Sequence, residues 1–170
     1  MSANDTLFSR YPNEYWIESG SYYGAGICAA IACGFKHVYS IELSDQFYSA
    51  AVEKFADNPD VKIFHGDSGK ILYDVIKDIR EPITFWLDGH YSGGETARGD
   101  KESPLIEEVL AIGNHAIKTH TVLIDDVRCY PDLMPRVKEI LLSINPAYEF
   151  SYEDGCEKND ILVAQIRKGT

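Results

Sequence analysis

The sequence predicts a doubly wound α/β fold. It has a mostly parallel sheet of seven strands, helices on both faces and an antiparallel hairpin at the C-terminal end. Three observations carry this. Strand-length apolar runs alternate with helix-length amphipathic segments along nearly the whole chain. Two runs, Ile83-Thr84-Phe85-Trp86-Leu87 and Thr121-Val122-Leu123-Ile124, are apolar along their length, as strands covered on both faces must be. The last two runs are joined by a polar turn instead of a helix.

Strands are expected at about 15–19, 37–42, 61–65, 83–88, 120–125, 147–152 and 160–166. Helices are expected at about 25–34, 45–56, 69–80, 103–118 and 130–144. The first helix is rich in Ala and Ile and follows three glycines, Gly20, Gly24 and Gly26. Ser44 is placed to cap the second helix. Ser103-Pro104 opens the fourth, with Pro at the first helical position and Glu107 close behind. Tyr148-Glu149-Phe150-Ser151-Tyr152 alternates, turns at Glu153-Asp154-Gly155 and returns through Ile161-Leu162-Val163-Ala164. Residues 1–14 are polar and read as a loose lead-in or part of a lid, leaving 15–170 as one domain.

Composition narrows the function classes. The 170 residues are 45% hydrophobic and 25% charged, ordinary for a globular chain. No run approaches the ~20 apolar residues of a membrane span. The start lacks the basic residues and apolar core of a signal peptide, so a cytoplasmic location is expected. Cys28, Cys33, Cys129 and Cys156 show no metal-type spacing and read as reduced thiols, the first two buried in the first helix. The net charge of −11 argues against nucleic acid, which requires clustered Lys and Arg.

In open α/β sheets ligands bind beyond the carboxyl ends of the strands. Those ends carry Glu18, Gly20, Gly24 and Gly26; then Glu42; then Gly66, Asp67 and Ser68; then Asp88, Gly89, His90 and Tyr91; then Asp125, Asp126 and Arg128. Every end of the five βα steps bears an acid. The Gly-rich turn opens a helix, and Glu42 follows Gly20 by 22 residues, a spacing at which an acid commonly receives ribose hydroxyls. An adenosine-containing cofactor is expected. The glycine spacing departs from the G-x-G-x-x-G nicotinamide pattern.

Glu-Ser-Gly-Ser-Tyr-Tyr-Gly-Ala-Gly, Ile-Glu-Leu-Ser, His-Gly-Asp-Ser and Trp-Leu-Asp-Gly-His-Tyr-Ser-Gly-Gly resemble a class I S-adenosylmethionine-dependent methyltransferase of Rossmann-like fold. The resemblance runs from Tyr15 to Ile166 and is nearest to small macrocin-type sugar O-methyltransferases. It implies that Glu18, Gly20, Ser21 and Gly24 lie along the methionine and ribose of S-adenosylmethionine. Glu42 would take the ribose hydroxyls, and Asp67 and Ser68 would flank the adenine, with Asp67 accepting its exocyclic amine. Asp88 is counted with the cofactor contacts as well.

Asp88, Asp125 and Asp126 are expected at neighbouring strand ends, where mutual repulsion makes a divalent cation welcome. All-oxygen ligands favour Mg²⁺, Mn²⁺ or Ca²⁺. The resemblance implies the same set, with Mg²⁺ or Mn²⁺ lowering the pKa of a sugar hydroxyl. Asp88 and His90 are the candidate general bases. The loop from Tyr91 to Asp100 is long and glycine-rich, and Tyr91, Thr96 and Arg98, with Arg128 from the next loop, are expected to contact the acceptor. His37, His65, His115 and His120 have no convergent partner and read as surface or packing residues.

The expected activity is metal-assisted O-methylation of a sugar, either a glycan terminus or a deoxysugar. The expected protein is a monomer or homodimer with a small-molecule or glycan acceptor, and neither nucleic acid nor membrane as partner. Only about 14 residues precede the first strand, so a helical cap over the acceptor is expected to be small or missing. The rival readings are a catechol-type methyltransferase, a nicotinamide-dependent oxidoreductase and a degenerate binding module.

Overall fold

In the computed structural model, residues 3–88 and 103–166 are described. The seven strands are β1 (Tyr15–Ser19), β2 (His37–Glu42), β3 (Val61–His65), β4 (Ile83–Leu87), β5 (Thr121–Ile124), β6 (Glu149–Glu153) and β7 (Ile161–Gln165). The helices are α1 (Ala3–Phe8), α2 (Ala25–Ala32), α3 (Asp45–Lys54), α4 (Ser68–Ile76), α5 (Leu105–Asn114) and α6 (Met134–Ile144). A 3-10 turn, Val127–Cys129, follows β5.

The strands form one sheet in the order β3-β2-β1-β4-β5-β7-β6. The first five pair in parallel, while β7 runs antiparallel to both β5 and β6. Strand order reverses between β1 and β4, which opens a crevice beyond their carboxyl ends. All five residues of β4 are buried, which explains its apolar run; the one polar member, Thr84, donates its hydroxyl to the Tyr11 carbonyl at 2.7 Å.

Each face of the sheet has its own core. On one side Ile17, Ile41, Phe85, Val122 and Leu162 pack with α4, α5 and α6 through Leu72, Val109 and Leu141. On the other, Trp16, Val38, Trp86 and Val163 pack with Ile27 and Ala30 of α2 and with Leu7 and Phe8 of α1.

The N-terminal segment differs from the loose lead-in expected of it. Phe8 is wholly buried, with its ring 5.4 Å from Trp16 and 5.0 Å from Trp86. Arg10 and Tyr11 both bond to Glu153 of β6, at 2.8 and 2.6 Å. The polar composition hid three anchors, Leu7, Phe8 and Tyr11, that only the sheet gives a place to dock. The cysteines differ too. Cys28 is exposed and Cys33 half-buried, because α2 turns its Ile27, Ala29 and Ala30 to the sheet; all four cysteines are free thiols. Among the described residues, no helix is long and apolar enough to cross a membrane.

Candidate active site

The site begins with the loop between β1 and α2. Gly20 (φ 86°) and Gly24 (φ 77°) adopt left-handed backbone, which glycine enters without steric cost. Tyr22 is also left-handed, at φ 43°, a conformation costly for an aromatic residue. It is held there by packing on Phe47, 4.6 Å between ring centroids, and by its N–H, which donates to Glu42 Oε2 at 3.0 Å.

Glu18 lies beneath this loop. It is 2% exposed, and its Oε1 accepts the Ser40 hydroxyl at 2.7 Å. That spends the single Ser40 proton, so Ser21 donates to Ser40 across 2.5 Å, forming a relay from Ser21 through Ser40 to Glu18. The sheet register sets this up, since Glu18 pairs with Ser40 across β1 and β2. Helix α2 passes directly overhead: a Cβ on Gly26 would lie 2.2 Å from Glu18 Oε2. Burial pushes the Glu18 carboxyl up to about 8; the Ser40 hydrogen bond opposes the shift, and Asp88 and Glu42 add to it.

Glu42 ends β2 and is 6% exposed. Its Oε1 accepts the Ser44 N–H at 2.8 Å while Oε2 holds Tyr22. A carboxylate offers about four acceptor positions, so about two remain for a ligand. Ser44 caps α3, as expected, and leaves Glu42 out of that role.

Asp67 caps α4 by accepting the Gly69 N–H at 3.0 Å, and Lys70 lies 3.6 Å from its other oxygen. Next to it, the Ser68 hydroxyl donates at 2.6 Å to Glu108, on α5. Glu108 was missed at the sequence level. It is 1% exposed, and burial pushes its carboxyl up to about 7, against hydrogen bonds from Ser68 and Ser19 and with Asp67 and Asp88 adding to the rise. A signal was present: Glu108 shares the helical face of Leu105, Val109 and Ile112, where an acid has no place in a plain core helix.

Register places Asp88 and Asp125 side by side. Leu87 pairs with Ile124, and the Asp125 N–H donates to the Leu87 carbonyl at 3.1 Å. The acids that gather closest are not the three expected. Among the described residues, Asp125, Asp126 and Asp160 present oxygens within 4.8 Å of one another; Asp88 stands outside that group. Asp160 precedes β7, and the antiparallel return of the hairpin carries it beside the end of β5. It is 2% exposed and accepts the backbone N–H of Arg128 at 3.1 Å. Repulsion is also less than expected, because the Arg128 guanidinium contacts Asp126 at 2.5 Å and Asp160 as well. His90, Tyr91, Thr96 and Arg98 lie outside the described residues.

Two of the histidines read as isolated are partners. His115 and His120 are buried, and their rings meet at 2.9 Å, Nδ1 to Nε2. They sit at the opposite edge of the sheet, where His120 accepts the Ile83 N–H, and take no part in the site.

No protein-family model and no curated protein matches this sequence. Solved structures do. A methyltransferase of Podospora anserina bound to S-adenosylhomocysteine superposes with a TM-score of 0.64 at 13% identity, covering 99% of this chain and 80% of that one. The fold is that of the S-adenosylmethionine-dependent methyltransferases. The O-methyltransferase TomG of Streptomyces achromogenes, involved in tomaymycin synthesis and bound to S-adenosylmethionine, gives 0.63 at 13%, covering 98% and 78%. A Clostridium thermocellum chain proposed to be an rRNA methylase gives 0.59 at 13%, covering 94% and 92%. The methyltransferase scaffold therefore serves unlike acceptors, and likeness at this identity speaks for the fold alone.

Proposed function

We propose that this chain is an S-adenosylmethionine-dependent O-methyltransferase acting on a sugar hydroxyl, with a divalent cation assisting. The observation that carries the cofactor reading is Glu42. It sits at the carboxyl end of β2, the strand next to β1, fixed by two backbone N–H groups, with acceptor capacity left for two ribose hydroxyls. The donor set beside it fits as well: a left-handed glycine loop, the Ser21–Ser40–Glu18 relay and Asp67 at the next strand end. The strand order, with its antiparallel β7, favours this reading over a nicotinamide-dependent oxidoreductase.

When bound, the cofactor supplies an electrophilic methyl group on a sulfonium. The chain's contribution is orientation and proton transfer. Glu42 would hold the ribose hydroxyls, and Asp67 would receive the adenine amine. The carboxylates Glu42 and Asp88 make the crevice favourable to a cation, while Glu18 anchors the Ser21–Ser40 relay beneath the loop. Asp88, just beyond β4, would take the acceptor's proton, with His90 as the alternative.

A divalent ion fits the Asp125, Asp126 and Asp160 oxygens by chemistry and reach, and it would supply Lewis acidity toward an acceptor hydroxyl. Arg128 already serves as the cation there, so ion and guanidinium compete for Asp126 and Asp160. The sugar acceptor rests on the motif resemblance. A catechol acceptor would use the same groups.

The test is calorimetric titration with S-adenosylhomocysteine, with and without Mg²⁺, followed by labelled methyl transfer to deoxysugars and catechols. Micromolar binding and sugar-dependent transfer support the proposal. Transfer to catechols alone replaces the acceptor class, and no binding in either condition removes the methyltransferase reading.

A further inference from the structure

Glu108 is buried between two segments of the site. Ser19 ends β1 and directly precedes Gly20 of the glycine loop; Ser68 begins α4 and directly follows Asp67. These two residues border the two segments assigned to opposite ends of adenosine, and the Glu108 carboxylate accepts hydroxyls from both. The helices are packed tightly enough to make this connection short. A Cβ at Gly69 would lie 3.1 Å from both Glu107 Cβ and Pro104 Cβ, so the first turns of α4 and α5 are nearly in contact. No purely apolar residue at position 108 could bridge the two hydroxyls, and burying an acid there has a desolvation cost that packing alone does not explain.

We propose that Glu108 is a positioning residue that locks the glycine loop after β1 to the β3–α4 segment, so that the glycine loop and Asp67 stand at the separation one adenosine spans. This rests on the cofactor reading above. Glu108 itself touches no ligand. It acts through Ser19 and Ser68, and thereby preorganises the site before the cofactor arrives.

The test compares Glu108→Gln with Glu108→Leu. Gln keeps a carbonyl oxygen for Ser68 and offers an amide to Ser19, whereas Leu has similar bulk and no acceptor. Two readouts are taken on the full chain: S-adenosylhomocysteine affinity by calorimetry, and amide hydrogen exchange of the ligand-free protein across 19–24 and 66–70. Glu108→Leu is expected to weaken binding by about tenfold or more and to speed exchange in both segments, while Glu108→Gln stays within about threefold of the parent. Should Glu108→Leu not fold, Ser68→Ala removes one arm of the bridge, and faster exchange in 19–24, on the far side of Glu108, is the expected sign. Unchanged affinity and exchange in Glu108→Leu, or in Ser68→Ala, overturn the proposal. Equal losses in the Leu and Gln variants overturn it too, since they would mark a general packing defect. If the parent chain binds no S-adenosylhomocysteine yet exchange responds as described, the lock stands and the cofactor reading falls.

Discussion

At the scale of single residues, the site depends on close approaches that a sequence hints at but cannot measure. Gly26 is one. Its missing side chain is the space Glu18 Oε2 occupies, so Gly26→Ala forces either the carboxylate or α2 to move. We expect it to cost about 1–3 kcal/mol of stability, read from urea midpoints, and to weaken cofactor binding as well. Glu42→Ala removes the acceptor for Tyr22 and Ser44 together with the proposed ribose contact. Affinity for S-adenosylhomocysteine should fall by about tenfold to a hundredfold, and unchanged affinity in calorimetry would end the ribose assignment. Arg128→Gln tests the shared acid cluster. Freed of its guanidinium, Asp126 and Asp160 should bind Mn²⁺ more tightly than in the parent, as followed by electron paramagnetic resonance; weaker binding would mean that Arg128 supports the ion site and does not compete for it.

At the scale of elements, two features owe their form to tertiary contact. Helix α1 has six residues, too few to persist alone. It exists because Phe8 inserts between Trp16 and Trp86. Phe8→Ala should cost about 3–5 kcal/mol by denaturant unfolding, a core-sized loss from a segment whose sequence is mostly polar. The other feature is the connection from α5 to β5. His120 Nδ1 accepts the Ile83 N–H, so its Nε2 carries the proton and donates to His115, whose Nε2–H in turn reaches the Ile79 carbonyl. Every nitrogen is used in the neutral form. Burial first, then His115, pushes His120 down from 6.5 to about 3. An unfolded chain therefore binds a proton here before the folded one does. The resulting stability is whole above about pH 6.5 and drains away as pH falls toward about 3. His120→Asn should flatten the acid limb of a stability–pH curve, and an unaltered limb would show that this pair does not govern it.

For the whole molecule, the buried acids act in the opposite direction. Glu18, raised from 4.5 to about 8, and Glu108, raised from 4.5 to about 7, are protonated in the fold where the unfolded chain has already ionised. Their contribution is complete below about pH 4.5 and is lost as pH rises through about 7 to 8. The net charge of −11 adds self-repulsion in the same direction. The ligand-free protein should thus be most stable on the acid side of neutrality, with urea midpoints at about pH 6 exceeding those at about pH 8.5. Glu18→Gln should narrow that gap.

The alternation of seven strands with helices, the terminal hairpin and the acids at the strand ends are legible along the chain alone. Those follow from local periodicity and turn chemistry, which depend on neighbours within a few residues. Its boundaries were close as well: β1, β2 and β3 match the expected ranges, while α4 and α5 each end earlier than expected. Which distant groups share a proton or a charge is set by packing in three dimensions. Asp160 joins Asp125 and Asp126 because β7 returns antiparallel beside β5. Glu108 reaches Ser68 across 40 positions because α4 and α5 pack at their first turns. His115 meets His120 because the short connection between α5 and β5 folds back on itself. Hydrogen bonds and ion pairs act over a few ångströms, and the sequence contains no distances. An acid at an apolar helix position, as at 108, marks where such a contact must exist, but only the fold supplies its partner.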